Sequence, residues 1–126
     1  MPTFVSAQEI ADSCSLSEAI ETQRKVFESH FLGNTILGPR AILTQDENAQ
    51  FSYIARASRN GATIVKFGSV FPGNSAKRMP AVQTTVAAMS QIDGSIIHFF
   101  DGEAITQLRT VATSMAVALE FVAKPK

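Results

Sequence analysis

The apolar positions change period twice along the chain. Behind Ser15-Leu16-Ser17-Glu18, the residues Ile20, Val26 (or Phe27) and Phe31 fall on one stripe, the three-to-four-residue rhythm of a helix with one buried side. Ser6-Ala7-Gln8-Glu9 has the form of a capping box, in which the serine oxygen accepts from the third backbone N–H while the glutamate reaches back. These signals predict a brief strand at Thr3–Val5, a short helix to about Ser13, and a second helix to about Leu32 that Gly33-Asn34 ends. From Ile36 the rhythm shortens. Ala41-Ile42-Leu43, Phe51–Ala55, Ala62–Phe67, Val82–Met89 and Ser95–Phe100 are short β-rich runs, the first of them opened by Pro39-Arg40.

The connections carry their own signals. Asn60-Gly61 reads as a tight hairpin, because both residues tolerate positive φ. Ile92-Asp93-Gly94 reads as hairpin-like, and Phe71–Pro80, with two prolines and Gly73, as a loop. The helical period then returns: Ile105, Leu108, Ala112, Met115, Leu119 and Val122 form one stripe, expected to be buried, with Arg109 off it and Thr113 and Glu120 near its side. Asp101 and Thr106 are both candidate caps for this helix. Two helices, a series of strands and one long helix predict an α+β fold. Its sheet is mostly antiparallel or mixed, of about five to six strands, in a single domain over residues 1–126.

Composition narrows the function classes. The 126 residues are 45% hydrophobic, too many for a disordered tail, and enough chain for a real core. Eleven basic residues balance eleven acidic ones without clustering, so the electrostatic footprint of a nucleic-acid binder is missing. Cys14 is alone, which rules out an intrachain disulfide and a cysteine-based zinc site. The start lacks a basic segment followed by an apolar one, and no apolar run approaches the roughly 20 residues that span a bilayer. A cytoplasmic protein without membrane contact is expected. No Gly-x-Gly-x-x-Gly or Gly-x-Ser-x-Gly occurs, and no carboxylate cluster has ligand spacing, so no metal site is expected. His98 reads as a packed or edge strand residue and His30 as a solvated helix residue.

Three cations remain as candidates. Lys66 closes an Ile64-Val65 run, where a lysine must either emerge at an edge or be paired. On spacing alone it reads as an edge lysine carrying its charge into water. Arg109 alone reads as exposed or ion-paired with Glu103 or Asp101, and Arg40 as a solvated loop or edge residue.

The order of motifs changes these weights. Lys66, then Phe71-Pro72-Gly73-Asn74, Met79-Pro80-Ala81-Val82-Gln83, Asp101-Gly102 and Ile105-Thr106-x-x-Arg109-Thr110-x-Ala112-x-Ser114 resembles the amino-terminal domain of the ornithine cyclodeaminase/mu-crystallin family. The likeness spans nearly the whole chain, from Ser6-x-x-Glu9-Ile10 through Leu16-x-Glu18-Ala19-Ile20 and Pro39-Arg40 onward. It implies the substrate-binding and dimerisation half of an NAD- or NADP-dependent enzyme acting on amino or imino acids: a cyclodeaminase lyase, or an oxidoreductase of the alanine dehydrogenase or ketimine reductase kind. The nucleotide-binding Rossmann domain would lie beyond Lys126, so this chain alone is expected to be inactive and to hold no cofactor tightly. The resemblance also implies that Arg40, Lys66 and Arg109 converge on the substrate carboxylate, that Lys66 is catalytic, that Arg109 touches the cofactor, and that the protein is a homodimer. Hydride transfer at Cα requires a fixed carboxylate, and guanidinium forks bind carboxylates bidentately. The lysine adds a point charge, and becomes an acid or base where burial lowers its pKa. Two departures weaken any carry-over of cofactor contacts to the loop: relatives often have threonine where Ala81 stands, and glycine where Arg78 stands. The alternative reading is a stand-alone, non-catalytic dimeric binding module on the same fold.

Overall fold

The computed structural model describes residues 1–123, with side chains as far as Glu120. The elements run β1 (Thr3–Val5), α1 (Ala7–Ser13), α2 (Leu16–Phe31), β2 (Ile36–Leu37), β3 (Ala41–Gln45), β4 (Asn48–Arg56), β5 (Thr63–Val70), a 3-10 helix (Pro72–Lys77), β6 (Val82–Met89), β7 (Ile96–Asp101) and α3 (Gly102–Ala123). The seven strands form one sheet in the order β1-β7-β6-β5-β4-β2, with β3 also on β4. Every pair is antiparallel except β1 with β7. This is the expected α+β fold, with one strand more than the sequence pattern suggests. The addition is β2, whose two residues pair with Ala55 and Arg56 while β3 pairs with the other end of β4. One edge strand is thus broken in the middle, and Pro39-Arg40 lies in the break rather than in a strand.

The local signals act as their chemistry dictates. The Ser6–Glu9 capping box forms in both directions. Ser15 Oγ accepts from Glu18 N, but it donates to the Glu18 carboxylate, so the second box is one-sided. Gly33 at φ 75 ends α2, with Gly33 N donating to His30 O and Asn34 N to Ser29 O; a residue with a side chain pays steric strain in that conformation. The cap of α3 is Asp101, whose Oδ1 accepts from Ala104 N at 2.9 Å.

Two turn readings change. Asn60-Gly61 sits in a longer connection between β4 and β5, and neither residue has positive φ. The two-residue turn is Asp46-Glu47 between β3 and β4, where Asp46 takes φ 54. The Phe71–Pro80 segment is not irregular throughout but holds the 3-10 helix. It is tied by Asn74 Nδ2 donating to Pro80 O and Met79 N donating to Asn74 O.

The helices lie on one face of the sheet. Gly102 opens α3 directly against Thr84 of β6, so closely that a Cβ there would collide with the Thr84 backbone. α1 and α2 pack against α3. The buried residues of this core are mostly small: Ala19, Ala88, Ala112 and Ala116, with Val86 and Ile10. Met115 and Leu119, expected inside, are exposed, and the Val122 side chain lies outside the described residues. The contact stripe of α3 is Gly102, Thr106, Thr113 and Ala116 with Ala112, rotated toward Arg109. The opposite sheet face stays open, presenting Phe4, Leu43, Ile54 and Phe67 to solvent.

Candidate functional site

β5 lies between β4 and β6, so Lys66 is not an edge residue. Register places it beside Tyr53 on one side and Val86 on the other, all three on one face. That face is the helix side, because half-buried Lys66 donates from Nζ to Thr106 Oγ1 of α3 at 2.8 Å. A hydroxyl oxygen satisfies one of three ammonium donors and none of the charge. Among the described residues no carboxylate pairs with Lys66. A partly desolvated cation without a counter-charge is an anion site in waiting, since burial raises the value of any negative group brought to it.

Arg109 follows Thr106 by three residues, so the two lie on neighbouring turns of one helix face, with Cβ atoms roughly 5–6 Å apart. Its side chain is exposed and borders a cleft with Ala19, Thr22, Ile105 and Leu108. The ion pair with Asp101 or Glu103 does not form: Asp101 caps the helix, and Glu103 accepts from Gln107 Nε2. Thr113, one turn on, donates from Oγ1 to Gln23 Oε1 of α2 at 3.2 Å. Arg109 therefore sits between the residue that ties α3 to the sheet and the residue that ties it to α2.

Arg40 occupies the break in the edge strand. Its guanidinium carbon lies 5.0 Å from the centre of the Tyr53 ring, and Tyr53 is the register partner of Lys66. Neighbours thus run from Arg40 to Tyr53 by ring contact, from Tyr53 to Lys66 by strand register alone and from Lys66 to Thr106 by hydrogen bond, with Arg109 one turn beyond Thr106. Two members of this path, Tyr53 and Thr106, escape sequence reasoning as site residues. Tyr53 hides inside a β-rich run and acquires meaning only from the β4–β5 register. Thr106 registers only as a possible helix cap, although its spacing from Arg109 puts both on one face.

The histidines are engaged elsewhere. His98 Nδ1 meets Thr3 Oγ1 at 3.0 Å and its ring stands edge-on to Phe100, while His30 Nδ1 meets Thr35 Oγ1 at 2.7 Å. Among the described residues no group of histidine, cysteine and carboxylate side chains is placed to hold a metal. Among the described residues no helix is long and apolar enough to cross a membrane. The fit to a dinucleotide is partial. Pyrophosphate favours a free helix amino terminus, but each α-helix here carries an acid in its first turn: Glu9, Glu18 and Glu103. Arg109, exposed on α3, is the residue that the resemblance implies for such a cofactor.

The model of the ornithine cyclodeaminase/mu-crystallin family matches residues 1–126. The ketimine reductase mu-crystallin of Rattus norvegicus is 27% identical over 130 residues, covering 98% of this chain and 41% of the relative. The fold is also that of the Thermococcus litoralis Δ1-pyrroline-2-carboxylate reductase solved with NADH and L-proline. There the TM-score is 0.79 and the identity 23%, over 88% of this chain and 35% of that one. An archaeal alanine dehydrogenase dimer with bound NAD gives a TM-score of 0.80 at 22% identity, over 88% and 34% of the two chains. The chain thus spans well under half the length of the relatives it matches, and over its whole extent it belongs to the ornithine cyclodeaminase/mu-crystallin family.

Proposed function

We propose that this chain is the substrate-binding and dimerisation half of an NAD(P)-dependent enzyme that acts on an amino or imino acid, with Arg40, Lys66 and Arg109 gathered around the substrate carboxylate. The observation that carries this reading is Lys66: a half-buried cation on an interior strand, aimed at the helix that bears Arg109 and paired with no acid among the described residues. An α-carboxylate is the complementary group. The ammonium supplies a point charge and the guanidinium groups supply directional N–H pairs, so the anion is fixed in both position and plane. Fixing it presents Cα and its nitrogen in one orientation to the hydride carrier, which NAD(P) would supply. Arg109, exposed at the margin, would be the residue that meets that carrier.

The reading extends to a homodimer. Phe4, Leu43, Ile54 and Phe67 share the sheet face away from the helices, and a second copy is the occupant that would bury them. The isolated chain is expected to show no NAD(P)-linked turnover. Replacing Lys66 with methionine in the longer protein keeps the volume and deletes the charge. Loss of a charge-assisted contact of about 1.5–3 kcal/mol lowers kcat/KM roughly ten- to a hundredfold. An unchanged kcat/KM for the protein's own amino or imino acid would remove Lys66 from the site.

A further inference from the structure

We propose that Tyr53 is a positioning residue for Arg40. Its ring draws the guanidinium over the helix-side face toward Lys66, so that two cations from distant strands address one anionic group. The inference rests on the carboxylate reading given above and adds a residue to it.

Arg40 has little else to direct it. It lies in the break between β2 and β3, it is exposed, and among the described residues it makes no hydrogen bond or ion pair. A long side chain so placed would spread over many rotamers. The Tyr53 ring is the contact that selects among them, at 5.0 Å from guanidinium carbon to ring centre, inside the roughly 6 Å reach of a cation–π interaction.

Tyr53 is itself well held. It pairs with Lys66 of β5 on one side and faces the β2–β3 break on the other, its side chain is half-buried, and its ring stacks on Phe51 at 6.1 Å with 18° between the planes. Tyr53 stands opposite Lys66 in the β4–β5 register, so the ring that Arg40 contacts belongs to the strand partner of that lysine. Contact through the π face consumes none of the guanidinium N–H donors, so the full fork stays available to a carboxylate.

Tyr53 is the only tyrosine, and the chain has no tryptophan, so tyrosine emission reports on this one ring. The test uses the whole chain with proton NMR and fluorescence, and with Tyr53→Phe and Tyr53→Leu compared at equal helicity by circular dichroism. Ring current should displace the Arg40 δ-protons upfield in the original chain and in Tyr53→Phe, and release them in Tyr53→Leu. Arg40→Gln should change the tyrosine emission. With L-proline as the probe, the Arg40 and Lys66 resonances should move together, with binding roughly two- to fivefold weaker in Tyr53→Leu and little altered in Tyr53→Phe. Arg40 protons at ordinary positions in the original chain, or unmoved by Tyr53→Leu, would overturn the proposal. Ring-current shifts present while L-proline disturbs neither Arg40 nor Lys66 would instead overturn the carboxylate reading and leave the Arg40–Tyr53 contact standing.

Discussion

Arg78 follows the 3-10 helix with φ 59, in the left-handed region where a Cβ crowds the backbone. Glycine removes that strain at the cost of a freer unfolded chain. Arg78→Gly is expected to stabilise by about 0.5–1 kcal/mol, read as a higher urea midpoint with an unchanged slope. Thr106 supplies the oxygen that Lys66 donates to. Thr106→Val should cost about 0.5–1.5 kcal/mol by the same measurement, and Thr106→Ser should recover most of it. Legibility at this scale follows how local the cause is. Ser6, Ser15 and Gly33 act on their own neighbours and declare themselves in the sequence. The sequence states the alternatives for Lys66, an edge or a partner, and only strand order removes the edge. Tyr53 could not be singled out, because a register partner thirteen residues away leaves no local mark.

Elements whose ends are set locally were readable almost to the residue, as α1 and α2 show, although Phe31 of the α2 stripe lies exposed. The long helix was readable as a helix but not in its rotation. Its large apolar residues suggest one stripe, whereas Gly102, Ala112 and Ala116 make the close contacts, since only small side chains let backbones approach. Turn chemistry misled in the same way: Asn60-Gly61 permits a tight turn, but Asp46-Glu47 makes one. The caps carry an acid dependence. The Ser6 backbone N–H, then its hydroxyl, hold Glu9 below the ordinary glutamate pKa, and hydrogen bonds from Ser95, then Ser90, lower Asp93. A carboxyl whose folded pKa is depressed stabilises the fold fully above its unfolded pKa, and that contribution disappears as pH falls through the lowered value. Stability should therefore decline on acidification below the ordinary carboxylate range. Glu9→Gln with Asp93→Asn should flatten that part of a urea-midpoint-versus-pH curve.

The whole chain exposes 9113 Å², where a monomer of its mass exposes about 6,600 Å² by surface scaling. The excess, roughly 2,500 Å², is larger than the ~800 Å² one partner contributes to an ordinary interface. An excess of that size is what the proposed dimer face and the proposed longer protein would cover. Replacing Phe67 with glutamate, on the open sheet face, should give a monomer by sedimentation while helicity is kept. A dimer surviving that change would move the interface elsewhere. Sequence composition registers the apolar residues but not their assignment to an outer face, because alternation along a strand looks the same whichever side meets solvent.

The parallel pairing of β1 with β7 orders events in time. Thr3, Phe4 and Val5 find their partners at His98, Phe99 and Phe100, so the first strand of this sheet to be made waits for the last. During synthesis β4, β5 and β6 can pair with neighbours already made, while β1 and α1 have nothing to close upon until β7 is out. β1 and α1 are then the late-folding part of the sheet, and a chain stopped before residue 100 keeps a hairpin array with β1 loose.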